Sequence, residues 1–176
     1  MSDGMNSGNN TEIERKFKIE YPDDAELAAM LSVPGAKSVS ITQIYLVSPT
    51  EESDRIRRSE SGGIVRYRRT IKRGDGIVRE EYENDITAEE YLRLVAESAD
   101  VSLSPIKKTR VRMPTGNRIL EIDLYDGFTD YAVAEVELES PDEDLPDMSA
   151  VRIIREVTGD PEWLNVSIAG HGMPEK

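Results

Sequence analysis

Along most of this chain apolar and polar residues alternate with a period of two, and the polar side of the alternation is charged. In Thr11–Lys18 the side chains of Glu12, Glu14, Lys16 and Lys18 fall on one face of an extended strand, with Ile13 and Phe17 on the other. Comparable strand-like segments lie near 12–19, 41–47, 53–58, 64–73, 77–86, 106–113, 117–126 and 131–139. Arg73-Gly74-Asp75-Gly76 and Pro114-Thr115-Gly116-Asn117 read as hairpin connections. Three helices interrupt the strands. The first follows Asp23-Asp24 and runs from Ala25 to Leu31; the second is opened by Thr87-Ala88-Glu89-Glu90, read as a capping box. The third is expected after Ser149, with Val151, Ile154 and Val157 on one side and Gly159 beyond its end. Asp142–Asp147, with two prolines, reads as a loop. Residues 1–10 have little to bury and read as a disordered leader, 11–168 as one domain and 169–176 as a tail.

Mostly consecutive strands joined by hairpins predict an α+β fold: an eight-stranded antiparallel barrel, closed or nearly so, with the helices packed outside. The helices carry apolar stripes, so the apolar strand faces point outward to meet them and the charged faces point inward. A barrel of that size holds side chains or one small ligand. A competing reading is open for every charged pair taken singly. Glu-x-Glu or Arg-x-Arg is ordinarily the solvated face of a strand, and opposite signs on neighbouring strands make cross-strand ion pairs. Repetition across many strands is what favours a cavity.

Composition narrows the chemistry. The 176 residues carry a formal charge of −13, which disfavours duplex nucleic acid as a partner. Cysteine is absent and His171 is the sole histidine, so thiolate chemistry, a Ser–His–Asp triad and a His-ligated zinc are not expected. Any metal must be held by oxygen, which suits Mg²⁺, Mn²⁺ or Ca²⁺. No apolar run approaches a membrane span and no hydrophobic signal core opens the chain, which predicts a cytoplasmic protein with no membrane partner.

The basic faces are Arg55 with Arg57, then Arg66, Arg68 and Lys72, then Lys108, Arg110 and Arg112. Guanidinium groups make paired, directional bonds to phosphate oxygens and Lys adds point charge, so a guest with more than one phosphoryl group is expected. The acidic faces are Glu12 with Glu14, Glu81 with Glu83, Glu121 with Asp123, and Glu135, Glu137 and Glu139. Some of these carboxylates would pair with inward cations and others would hold a hard divalent cation. Arg66 and Arg68 are candidates for a locally basic mouth that admits anions despite the acidic exterior.

Taken in order, these segments resemble the CYTH superfamily, the triphosphate tunnel metalloenzymes. The resemblance starts at Glu12-Ile13-Glu14-Arg15-Lys16, the family's Glu-x-Glu-x-Lys. It continues through Gln43-Ile44-Tyr45-Leu46, Arg55-Ile56-Arg57, Thr70-Ile71-Lys72, Arg79-Glu80-Glu81-Tyr82-Glu83, Lys108-Thr109-Arg110, Leu120-Glu121-Ile122-Asp123 and Ala134-Glu135-Val136-Glu137. It covers about residues 11–168. The resemblance implies an eight-stranded tunnel that acts on a small-molecule triphosphate with Mg²⁺ or Mn²⁺, and it allows a homodimer. It implies Glu12, Glu14, Glu135 and Glu137 as the main metal carboxylates, assisted by Asp123 and by Glu81 or Glu83. Lys16, Arg55, Arg57, Lys72, Lys108 and Arg110 would grip phosphate, and Lys16 with Tyr45 would be a candidate general-base pair, although phosphate binding is the preferred role for Lys16. The activities implied are inorganic triphosphatase first, then class IV adenylate cyclase or thiamine triphosphatase, with a non-catalytic polyphosphate- or nucleotide-binding module as the rival from another class.

Overall fold

The computed structural model describes residues 8–49, 53–74 and 77–175. Among them the strands are β1 (Gly8–Ile19), β2 (Lys37–Tyr45), β3 (Ser53–Ser61), β4 (Ile64–Arg73), β5 (Val78–Ile86), β6 (Ile106–Thr115), β7 (Arg118–Tyr125), β8 (Ala132–Glu137) and β9 (Ile153–Glu156). The helices are α1 (Asp24–Ser32), α2 (Ala88–Ser98) and α3 (Asn165–His171), the last preceded by a 3₁₀ turn at Pro161–Trp163. The sheet runs β5-β4-β3-β2-β6-β7-β8-β1-β9, all pairs antiparallel. A β1–β5 pairing closes the first eight strands into a barrel, as the strand count and hairpins predict.

Closure depends on β1 changing partners along its length. Gly8–Ile13 pair with β5, Glu14–Ile19 pair with β8, and Phe17–Ile19 also take β9 on the other side. Of the expected leader, residues 1–7 lie outside the described set, while Gly8, Asn9 and Asn10 already extend β1 opposite Glu83, Tyr82 and Glu81. The hairpin at 73–76 is described only through Gly74, Asp75 and Gly76 lying outside. The β6–β7 turn is as predicted, with Gly116 at φ +60, a conformation that suits glycine.

The outward apolar faces are covered by the helices. Met30 and Leu27 of α1 pack with Val111, Met113, Leu120 and Val136, while Tyr91 and Leu94 of α2 pack with Leu46, Ile56, Tyr67 and Ile86. Capping fixes where these helices begin. Asp23 accepts from the Glu26 amide at 2.8 Å and Glu26 returns the bond to the Asp23 amide at 2.8 Å, a complete capping box. At α2 only half of the predicted box forms: Thr87 accepts from the Glu90 amide at 3.1 Å, but the Glu90 carboxylate is turned to Arg93. Thr87→Ala is accordingly expected to cost about 1 kcal/mol in urea unfolding.

The helix expected after Ser149 is not there. Ile153–Glu156 form β9 instead, antiparallel to β1, and the Val157 amide donates to the Lys16 carbonyl at 2.9 Å. The adjacent β-branched Ile153 and Ile154 favour extended backbone, and the exposed strand ends of β1 offer it partners. The third helix lies further on, where Ile168 and Ala169 pack with Tyr45, Ile106, Tyr125, Tyr131 and Trp163.

A charge-polarised tunnel as candidate functional site

Inside the barrel is a cavity of about 1310 Å³. It is lined by alternate residues of the strands and, across one end, by Leu164, Asn165 and Val166. Asn165 accepts from the Tyr125 hydroxyl at 2.7 Å and the Trp163 carbonyl accepts from Lys16 Nζ at 3.3 Å, so the 3₁₀ turn and the start of α3 form the floor. Glu12, Glu14, Lys16, Tyr45, Arg55, Arg57, Lys72, Glu81, Glu83, Lys108, Arg110, Glu135 and Glu137 all line this cavity. Each of them is among the residues that the sequence singles out.

Asp123 is the exception. Its side chain is fully enclosed, and both oxygens are taken. Arg110 donates Nε to Oδ1 at 2.6 Å and Nη2 to Oδ2 at 2.8 Å, while Lys108 Nζ lies 2.5 Å from Oδ2. Although burial works against the charged form, Arg110 and Lys108 hold this carboxyl below the usual aspartate range. Asp123 thus pairs with two cations and does not line the cavity. Arg110 continues the chain of charges to Glu121 and, at 2.7 Å, to Glu135, which in turn lies 2.9 Å from Lys16 Nζ. Lys16 also sits 3.6 Å from Glu14, so its ammonium is surrounded by acceptors. Against the opposing effect of burial, Lys16, Arg110 and Lys108 hold Glu135 well below the normal glutamate range.

Lys18 departs too. It shares the inward face of Lys16 in sequence, yet its Nζ lies 4.4 Å from the centre of the Tyr131 ring and 5.9 Å from that of Trp163, beyond the cavity floor. Tyr45 accepts from Gln43 Nε2 at 2.9 Å, and burial pushes its phenol up, despite nearby Arg55, so it stays protonated.

The decisive feature is the register. Cross-strand neighbours with like charge face the cavity in four places: Arg57 opposite Arg68, Lys37 opposite Arg112, Glu14 opposite Glu137, and Glu121 opposite Glu135. Like charges directly opposite destabilise a sheet, and a free choice of residues would alternate them. The cationic pairs belong to β2, β3, β4 and β6 and the acidic pairs to β1, β7 and β8, so the walls are segregated by sign. Some compensation exists: Arg68 reaches Glu83 at 2.9 Å and Asp85 at 3.0 Å, and Lys72 reaches Glu12 at 2.6 Å and Glu81 at 3.3 Å.

Elsewhere compensation falls short. Arg57 reaches Glu83 only at 3.5 Å, and burial together with repulsion from Arg55 and Arg110 pulls its guanidinium down to about 10. The buried Nε of Arg55 has no hydrogen-bond partner among the described residues. Burial, then Glu12, Glu81, Glu121 and Glu14, push Glu137 up; burial and Glu135 push Glu14 up. One wall is left short of anions and the other short of cations.

The donors on the acidic wall are all carboxylate oxygens, which fits a hard divalent cation in chemistry and in charge. Among the described residues no three of them already converge as a cation cage, since Lys72 and Lys16 hold several. Residues outside the sequence-derived set also line the cavity. Lys37 and Val39 lie at even spacing from Gln43 and Tyr45 on β2, a periodicity that could have flagged them, and Arg118 lies just past the β6–β7 turn.

The fold and the site together define a closed antiparallel tunnel whose bore separates cations from carboxylates. The CYTH domain profile matches residues 10–160, and the chain belongs to the CYTH domain family. No curated protein matches it. Among solved structures it is similar to the inorganic triphosphatase NE1496, with 25% identity, 95% of this chain and 100% of that chain covered, and a TM-score of 0.56. PH1819 of Pyrococcus horikoshii OT3 shares the fold at 21% identity, covering 74% of this chain and 80% of that one, with a TM-score of 0.57. A Vibrio parahaemolyticus structure, named as a candidate adenylate cyclase, shares it at 17% identity over 75% and 79%, with a TM-score of 0.52.

Proposed function

We propose that the protein hydrolyses inorganic triphosphate to pyrophosphate and phosphate with Mg²⁺ or Mn²⁺. The observation that carries this reading is the pair of oppositely charged walls, each crowded with its own sign, that share one bore. Similarity over the full length of an inorganic triphosphatase supports it. Arg55, Arg57, Lys72, Lys108 and Arg110 bind the phosphoryl oxygens, and Asp123 keeps two of them in position before substrate arrives. Glu12, Glu14 and Glu137 would hold the divalent cation, with Glu81 assisting. Bound there, it supplies positive charge between carboxylates and phosphates and favours attack by water. Glu83 and Glu135 serve differently, by orienting Arg57, Arg68, Arg110 and Lys16.

In the reaction a water oxygen bonds to the terminal phosphorus as the bridging P–O bond breaks. The electron pair leaves with pyrophosphate, whose growing charge the arginines stabilise, and the water's proton passes to the phosphate product or to solvent. Lys16, with acceptors on several sides, serves as a phosphate ligand in this scheme.

Incubating the purified protein with triphosphate is expected to release phosphate when Mg²⁺ or Mn²⁺ is present and none when EDTA replaces them. Parallel incubations with ATP and thiamine triphosphate separate the rivals. Cyclic nucleotide with pyrophosphate would identify a cyclase, preferred turnover of thiamine triphosphate would move the substrate, and tight retention without product would leave a binding module.

A further inference from the structure

The hydrolytic scheme has no use for Lys18, although Lys18 is a buried cation. Its side chain is 7% exposed and lies outside the bore, and among the described residues no carboxylate is paired with it. Burying an ammonium without an anionic partner costs free energy, so a feature that needs the charge there is implied. The groups around it are aromatic. Its Nζ is 4.4 Å from the centre of the Tyr131 ring and 5.9 Å from that of Trp163, both within cation–π reach.

Trp163 joins that contact to the bore. Lys16 and Lys18 share one face of β1, about 7 Å apart along the strand. The Trp163 ring meets Lys18, and the carbonyl of the same residue accepts from Lys16 Nζ at 3.3 Å. Trp163 is 1% exposed, its amide donates to the Asp160 carbonyl at 3.1 Å, and Tyr131 packs against its ring at 5.3 Å. In so tight a setting the ring and the carbonyl move together. On the Lys16 ammonium the carboxylates of the acidic wall pull from one side, Glu135 at 2.9 Å and Glu14 at 3.6 Å, while the Trp163 carbonyl pulls from the floor. Losing the floor acceptor lets the ammonium settle on the carboxylates, where it serves phosphate less well. Arg155 also lies 5.5 Å from the Trp163 ring centre, but its side chain is half-exposed and 3.8 Å from Asp160, so water and a carboxylate weaken its hold.

We propose that Lys18 is a positioning residue for triphosphate: from beneath the floor it fixes Trp163, whose carbonyl sets the Lys16 ammonium toward the substrate. The inference deepens the triphosphate reading and rests on it. Lys18 itself touches neither the bore nor the phosphates, so its whole effect passes through Lys16.

The test is calorimetric titration of the full chain with sodium triphosphate in EDTA, so that binding is read without turnover. Lys18→Met is similar in length and uncharged, and is expected to raise Kd by about threefold to tenfold, the span of one neutral hydrogen bond. Lys18→Arg keeps a cation on the rings and should bind within about twofold of wild type. In a Lys16→Met background, Lys18→Met should change Kd by less than about twofold, since the group it positions is gone. An equal loss in both backgrounds would overturn the inference, because Lys18 would then act on the phosphates through its field alone. An unchanged Kd in Lys18→Met, or no rescue by Lys18→Arg, would overturn it too. The urea midpoint of Lys18→Met should be unchanged or higher, because a buried charge has been removed. A lower midpoint would make Lys18 a support of the fold and end the positioning role. A wild type that binds no triphosphate would also end it. Absence of phosphate release with Mg²⁺ from a wild type that binds and shows the coupling would sink the hydrolase reading alone.

Discussion

Replacing Asp123 with alanine is expected to lower the unfolding free energy by about 3–5 kcal/mol, the cost of stranding buried charges whose shared partner has gone. The side chain is wholly enclosed and accepts from Lys108 once and Arg110 twice, so no solvent can take its place. Urea unfolding measures the loss directly. Asp123→Asn separates charge from shape, because the amide fills the same volume while presenting an N–H to two cations. Its pH dependence follows from the depressed folded-state value. Asp123 contributes stability that is fully present above its unfolded pKa of about 3.9 and is lost as pH falls through the lower folded value. The gap between wild type and Asp123→Asn should therefore begin to narrow below about pH 4 and close once pH has passed the lower folded value, and a gap that does not narrow would show that the amide disrupts packing instead. Triphosphate turnover should fall in both variants through Lys108 and Arg110, which would no longer be held in place.

Arg57→Met is expected to do the opposite to stability. Arg57 faces Arg68 across the β3–β4 ladder, reaches Glu83 only at 3.5 Å, and is pulled down to about 10 by burial and by Arg55 and Arg110. A neutral side chain of similar length relieves that repulsion. The bore admits water, which screens the charges, so the gain should be about 1 kcal/mol, at the low end for replacing buried charge. Triphosphate affinity should drop by about tenfold to a hundredfold with the lost bidentate donor. A higher urea midpoint with weaker binding in the same protein would mark a residue kept for its guest. A lower midpoint would mean that Arg57 supports the empty fold.

Much of this was legible in the sequence, for a definable reason. Period-two alternation shows which residues share a strand face, and Glu12, Glu14, Arg55, Arg57, Glu135 and Glu137 all reach the cavity that their alternation implied. Alternation says nothing of register, and register decides which inward charge is consumed by a neighbour. Asp123 and Glu135 look alike in sequence, one residue removed from Ile122 and Val136. The pairing Arg110↔Asp123 seals the first beneath two cations, while Glu121↔Glu135 leaves the second at the edge of the bore. Lys18 was beyond reach because the Tyr131 and Trp163 rings that receive it come from distant segments. The misplaced helix has a local cause. Val151, Ile154 and Val157 have helical spacing, but a window so short cannot outweigh strand partners offered by β1. The true α3 is only Asn165–His171, lacks a side-chain cap, and owes its existence to burial of Ile168 and Ala169.

The partners of the first strand also set the order in which the molecule is made. β1 leaves the ribosome before the other described strands, yet its hydrogen bonds go to Val78–Glu83, Ala132–Glu137 and Ile153–Glu156. During synthesis it must wait with its charges in water, and the ring joins up only after β8 has emerged. Of the four like-charged pairs, the three on β2–β4 and β6–β8 form before β1 docks, whereas Glu14 meets Glu137 only at closure, so that one repulsion falls on the last step.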